Sequence, residues 1–153
     1  KAISDGVVDI LGSDHAPHTL KEKNEPYPET PSGTPAVQTM VPIMLNHVKN
    51  GKLSLERLVE LWSYGPEKIH GLSTKGRIKV GYDADFTIVD LNKTKIITNE
   101  QQCSISKWTP FDGMKVTGWP IYTIIRGNIV MSHDEIISKP IGEIIQFKET
   151  SLT

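Results

Sequence analysis

The residues best equipped for chemistry lie together in Gly12-Ser13-Asp14-His15-Ala16-Pro17-His18. Asp14 can bind a metal or move a proton, and each imidazole can do either or donate a hydrogen bond to an anion. Pro17 stiffens the backbone between the histidines, so the turn itself holds His18. Taken without its neighbours, an Asp–His pair reads as an ordinary turn, with Asp capping the next segment and His exposed.

The elements around this cluster decide how it is presented. Val7-Val8-Asp9-Ile10-Leu11 is a short apolar, β-branched run, bounded by Gly6 and Gly12, and predicts a buried parallel strand. The acid and the imidazoles then follow the C-terminal end of a strand, the face on which barrels and open α/β sheets build active sites. Residues 19–35 read as a long loop with four prolines, and its charged trio Lys21-Glu22-Lys23 as a solvated excursion. Within it, Pro31-Ser32-Gly33-Thr34-Pro35 combines a glycine that lets backbone approach a ligand with prolines that fix its path. The N–H groups of Ser32 and Gly33 are free to meet the edge of a planar ring.

Apolar residues at Val37, Met40, Val41, Met44, Leu45 and Val48 have helical spacing over 36–49, with Pro42 implying a kink or a start one turn later and Gly51 the end. Ser54 caps a helix over 55–62, and Pro66 opens a short one that Gly71 stops. His47 and His70 read as packing or helix-end residues. Beyond Leu72 the pattern changes to short strands, at 86–91, 95–98, 121–126, 129–132 and 143–147, with a hairpin turn at Arg126-Gly127-Asn128.

Composition narrows the field. A net charge of −1 gives no electrostatic case for nucleic acid or an anionic membrane surface. The single cysteine, Cys103, rules out an intrachain disulfide and makes a reducing cytoplasm the simplest setting. No apolar run approaches the roughly 20 residues of a membrane span.

The string Ser13-Asp14-His15-Ala16-Pro17-His18-Thr19 resembles the last active-site strand of the dihydroorotases, in the amidohydrolase superfamily of metal-dependent (β/α)8 barrels. Lys75-Gly76-x-Ile78-x-x-Gly81-x-Asp83-Ala84-Asp85 resembles a stretch common to that superfamily, and reads as stabilising. Trp108-Thr109-Pro110-Phe111-Asp112-Gly113 and Gly118-Trp119-Pro120 resemble the C-terminal region of dihydroorotases and hydantoinases, with aromatics that pack the domains together. The resemblance implies an α/β fold: residues 1–72 as the last strand, active-site loop and outer helices of the barrel, and 73–153 as part of a small β-sandwich. A complete barrel takes roughly 250 residues, so an N-terminal barrel portion is expected as the chain's partner, along with other copies of the chain in a homo-oligomer.

The same resemblance implies reversible closure of N-carbamoyl-aspartate to dihydroorotate, with two zinc ions per active site in the whole protein. Asp14 is then a zinc ligand and the proton shuttle, with His15 supporting it. His18 binds the substrate carboxylate, and Ser32 and Gly33 lie against the pyrimidine ring. Gln38 stands where many relatives have Glu, a difference expected to leave the chemistry unaffected. Two alternatives stay open: another cyclic amidohydrolase (an allantoinase or hydantoinase), against which His18 argues, and a catalytically silent structural partner of aspartate transcarbamoylase. By itself the chain is expected to be inactive, because one carboxylate and two imidazoles do not complete a catalytic zinc site.

Overall fold

The computed structural model describes residues 1–148. Two compact units interleave along the sequence: residues 1–11, 51–90 and 120 onward form one, and residues 12–50 and 91–119 form the other.

The first unit is built on a continuous helical run. Ser54 caps it, its hydroxyl accepting from the Arg57 N–H, and α3 (Leu55–Val59) passes through a π turn (Glu60–Tyr64) into α4 (Gly65–His70). The two separate helices expected here are therefore joined. The Gly65 N–H reaches back five residues to the Glu60 carbonyl. Pro66 has no N–H to offer, so the Leu61 carbonyl is left without a helical partner. The Leu11 N–H takes it, at 3.3 Å. Gly71 ends the run in the left-handed conformation, φ 63°.

Residues 7–11 do not form the expected strand. A strand exists through its ladder, and among the described residues no segment pairs alongside this one. Its backbone is bound to the helical run instead: Leu11 to Leu61, and the Val8 carbonyl to the Arg57 guanidinium, which also donates to Ile3 at 3.0 Å. Val7 is left exposed.

Among the described residues there is one four-stranded sheet, in the order β1-β2-β3-β4, with β1 at Phe86–Ile96, β2 at Lys115–Ile125, β3 at Asn128–Ser132 and β4 at Glu135–Ile136. Residues of β1 and β2 belong to both units. The two strands expected over 86–98 are one. The β2–β3 turn, Arg126-Gly127, has φ of 45° and 78°, the mirror-image geometry that matches strand twist, and His133-Asp134 repeats it before β4 at 50° and 74°. Residues 143–147 form no strand. Only Phe147 bridges, to Leu72, and Ile144 is exposed, so this stretch has no apolar face to bury.

The 75–85 stretch ties this unit together. Lys75 pairs with Asp83 at 2.8 Å and with Asp85. Thr74 donates to Asp83 at 3.0 Å, and Asp85 accepts the Arg126 N–H at 2.8 Å. Gly76 is pressed against the helical run: a Cβ there would lie 2.5 Å from the Ser63 carbonyl oxygen. The adjacent Glu67 is buried yet doubly paired, with Lys148 and with Arg77, whose guanidinium lies 4.1 Å from the Tyr64 ring centre.

In the second unit, α1 (Leu20–Lys23) interrupts the expected loop, and α2 (Met40–Lys49) starts one turn later than the apolar pattern, with Pro42 in its first turn where no N–H is needed. Leu45 of α2, Ile97 and Val116 form the buried centre, and Gly118 (φ 103°) lets β2 approach Leu45 where a Cβ would stand 2.5 Å from the leucine Cβ.

Candidate active site

All the candidate residues fall in the second unit. Asp14 occupies left-handed backbone, φ 45°, outside any hairpin turn. Aspartate is one of the few non-glycine residues that visit this region, and such backbone recurs where geometry serves a site. Its carboxylate is exposed and makes no hydrogen bond among the described residues.

His15 is committed differently. It bridges Thr34 in parallel fashion, and Ala16 N–H donates to the Thr34 carbonyl at 3.0 Å. The His15 Nδ1 accepts the N–H groups of Ala36 (3.0 Å) and Val37 (3.2 Å). An imidazole accepting at Nδ1 is neutral with its proton on Nε2, which leaves no lone pair for a metal. The support expected from His15 therefore goes to the backbone beyond Ser32-Gly33.

Gly33 is required twice over. Its φ is 91°, and a Cβ would meet the Ala16 Cβ at 2.5 Å. Lys23 holds the other side of this segment, donating to the Pro31 carbonyl at 2.6 Å, and Thr30 donates to the Lys23 carbonyl at 3.1 Å. The segments carrying Asp14–His18 and Ser32–Gly33 are thus brought side by side.

His18 has a pinned backbone and an uncommitted ring. Its N–H donates to the Ala16 carbonyl at 2.9 Å, around Pro17. Its carbonyl accepts the indole N–H of Trp108 at 2.7 Å. Thr19 then caps α1: its hydroxyl and N–H both donate to the Glu22 carboxylate, at 2.7 and 2.6 Å. Those bonds, the hydroxyl first, hold the Glu22 carboxyl below its ordinary range, with burial opposing and the His18 charge assisting. The Thr-x-x-Glu spacing of this capping box was legible in the sequence. The Trp108 contact, 90 residues away, was not.

Gln38 is engaged at both ends of its amide. Its amide donates to the Gln101 carbonyl (2.7 Å) and accepts the Cys103 N–H (2.8 Å), clamping the stretch that leads to Trp108.

Asp14 offers an accessible, uncommitted carboxylate, which suits a divalent ion as one ligand. His15 is excluded by its Nδ1 bonds. Among the described residues no group of three or more His, Cys, Asp or Glu is placed to hold an ion. A cleft of about 480 Å³ lies in the first unit, between Asp5, Asp9, Arg57, Glu60 and Lys68, and contains none of the candidate residues. No helix of the described residues is long and apolar enough to cross a membrane.

Comparison with known proteins adds the remaining observations. A family model described as "Amidohydrolase family" matches residues 1–130. The chain is 44% identical over 138 residues to a dihydroorotase of Pyrococcus furiosus, covering 90% of the chain and 32% of the relative. It is 39% identical over 140 residues to an L-hydantoinase of Paenarthrobacter aurescens, covering 88% and 31%. Among solved structures it is similar to L-hydantoinase (dihydropyrimidinase) from Arthrobacter aurescens, with a TM-score of 0.86 at 38% identity over 90% of this chain and 32% of that one. D-hydantoinase from Thermus sp. gives a TM-score of 0.85 at 28% identity, over 90% and 31%. The chain thus spans about a third of the length of the relatives it matches.

Proposed function

The chain belongs to the amidohydrolase family, and on that premise we propose that it is the C-terminal part of a metal-dependent dihydroorotase. The observation that carries this reading is the pairing of the Asp14–His18 segment with the Ser32–Gly33 segment through the His15–Thr34 bridge. It offers an uncommitted carboxylate, an uncommitted imidazole and two backbone N–H groups on neighbouring segments. The dihydroorotase names of relatives at 37–44% identity support it. On this reading residues 1–72 complete a (β/α)8 barrel with the rest of the protein, residues 73–153 contribute to a small β-sandwich, and the isolated chain is inactive.

Asp14 is proposed to hold zinc and to move a proton between the attacking water and the ring nitrogen; a carboxylate suits both tasks. The metal, when bound, supplies a nucleophilic water at neutral pH and polarises the carbonyl. His18 binds the substrate carboxylate through a charge-assisted hydrogen bond. The Ser32 and Gly33 N–H groups orient the ring's carbonyl and amide edge.

A hydantoinase is the second reading, favoured by the likeness to L-hydantoinase in sequence and structure. His18 separates the two, since a hydantoin ring carries no carboxylate for it to bind. The test uses the whole protein that carries this chain. Asp14→Asn keeps the side-chain shape, and asparagine tolerates left-handed backbone. Hydrolysis of dihydroorotate is expected to fall by about 10²–10⁴, the usual worth of a general acid–base group, with the fold retained by circular dichroism. Near-wild-type turnover would falsify the assignment of Asp14. Faster hydrolysis of hydantoins than of dihydroorotate by the unsubstituted protein would select the second reading.

A further inference from the structure

The stretch 98–112 makes no chemistry-bearing motif, yet it is built with unusual care around one side chain. Thr109 is buried, and its N–H donates to the Asn99 side-chain carbonyl at 2.8 Å. Asn99 in turn donates its N–H to Asp112 at 2.9 Å. Gln38 clamps residues 101 and 103 from α2's side. Lys107, immediately before Trp108, is in left-handed backbone at φ 54°, with its N–H on the Ser104 carbonyl and its ammonium on the Gln102 carbonyl, both at 3.1 Å. A lysine persists in that conformation only where its surroundings over-determine it. What all of this delivers is the indole N–H of Trp108, 2.7 Å from the His18 carbonyl.

We propose that Trp108 is a positioning residue for His18, setting where the imidazole stands and hence how tightly the site holds a substrate carboxylate. The inference rests on the reading of His18 given above. His18 N–H is bonded to Ala16, its carbonyl to Trp108, and the next residue caps α1. Three consecutive backbone anchors leave the ring as the only free part of the residue. Of these anchors, only the Trp108 bond comes from outside residues 12–37. Removing it leaves the peptide after His18 held by the Thr19 N–H alone, so that the plane can tilt about that bond and carry the imidazole with it, without touching Asp14.

The experiment uses the whole protein and three variants: Trp108→Phe, His18→Ala and the double variant. Phe keeps an aromatic ring and removes the donor. A neutral hydrogen bond is worth about a two- to tenfold effect. The expected result is therefore a two- to tenfold rise in KM for dihydroorotate with kcat and zinc content unchanged, and unaltered kinetics with dihydrouracil, which lacks the carboxylate. The double variant is expected to match His18→Ala alone. If His18→Ala weakens dihydroorotate use and Trp108→Phe leaves it unchanged, the positioning role is wrong and the function stands. If Trp108→Phe affects both substrates equally or lowers zinc content, the residue is merely structural and the proposal fails. If His18→Ala has no effect on either substrate, the reading of His18 falls, and this proposal with it. Should Trp108→Phe fail to fold, benzothienylalanine at position 108 replaces only the indole N–H by sulfur and carries the same expectations.

Discussion

Gly65 lies directly against the Asp9 carbonyl: a Cβ at Gly65 would overlap that oxygen and approach the Ile10 side chain to 3.1 Å. Its φ of −59° is ordinary helix, so the glycine is needed for space and not for conformation. Gly65→Ala gains up to about 1 kcal/mol of helix propensity but must push the 9–11 segment off the π turn, an overpacking cost of about 1–3 kcal/mol. The net expectation is a lower denaturant midpoint in urea melts. A raised midpoint would show that this contact is not tight.

Gly33→Ala meets two penalties at once. The left-handed backbone costs about 1–2 kcal/mol, and the Ala16 Cβ leaves no room. Both stability and dihydroorotate KM are expected to suffer. Ala16→Gly in the same protein relieves the collision and leaves the backbone cost, so it should recover part of the stability and not all. Full recovery, or none, would refute this division.

Gln38→Glu tests the amide clamp. A carboxylate still accepts from Cys103 but cannot donate to the Gln101 carbonyl, and sets negative charge against it. The bond joins exposed groups, so the expected loss in thermal unfolding is that of one ordinary hydrogen bond, about 0.5–1.5 kcal/mol. Hydrogen exchange is expected to rise across 98–112. An unchanged melting curve with unchanged exchange counts against the clamp.

The ion pairs of the first unit predict a stability profile with two limbs. Hydrogen bonding to Lys148, then to Arg77, holds the Glu67 carboxyl below its ordinary range against an opposing effect of burial. Hydrogen bonds from Lys75 and Thr74 do the same for Asp83. A depressed folded pKa gives stability that is complete above the unfolded value, about 4, and is lost as pH falls through the folded one. Lys75 is raised by Asp83 and then Asp85, so its contribution is complete below about 10.4 and is lost as pH rises through the raised value. Glu67→Gln should flatten the acid limb and Lys75→Met the alkaline limb, read as denaturation midpoint against pH. An acid limb unchanged in Glu67→Gln excludes that pair as its source.

What the sequence disclosed follows range of interaction. The Ser54 cap, the Gly71 stop, the delayed start at Pro42 and the Arg126-Gly127 turn are local, governed by backbone conformation within a few residues, and each was readable. The strand at 7–11 was not realised because a strand needs a neighbour, and apolar β-branched character does not provide one. The 143–147 stretch meets its neighbour in a single bridge, Phe147 to Leu72, which is too little for a ladder. The motif around Asp14 marks a candidate site in the sequence, while its supports carry no such mark: His15 with Ala36 and Val37, Gln38 with Cys103, and His18 with Trp108 join residues 21 to 90 positions apart. Nothing in residue type marks such pairs in advance. A glutamine looks like any surface polar residue until both ends of its amide are engaged.

The π turn at Glu60–Tyr64 carries one residue more than an α-helix of the same rise would need, and the wider turn absorbs that surplus locally. With the Gly65 N–H on the Glu60 carbonyl five residues back, α4 continues where a bond four residues back would have placed it. Excising one position between 60 and 64 would turn that bond into an ordinary α-helical one and leave Glu67 facing Lys148 and Arg77. The Leu61 carbonyl would then lie four residues before Pro66, still without a helical donor and still open to Leu11. The helical run thus tolerates a change of length here, because the closing bond at Gly65 and not the residue count decides which charges meet.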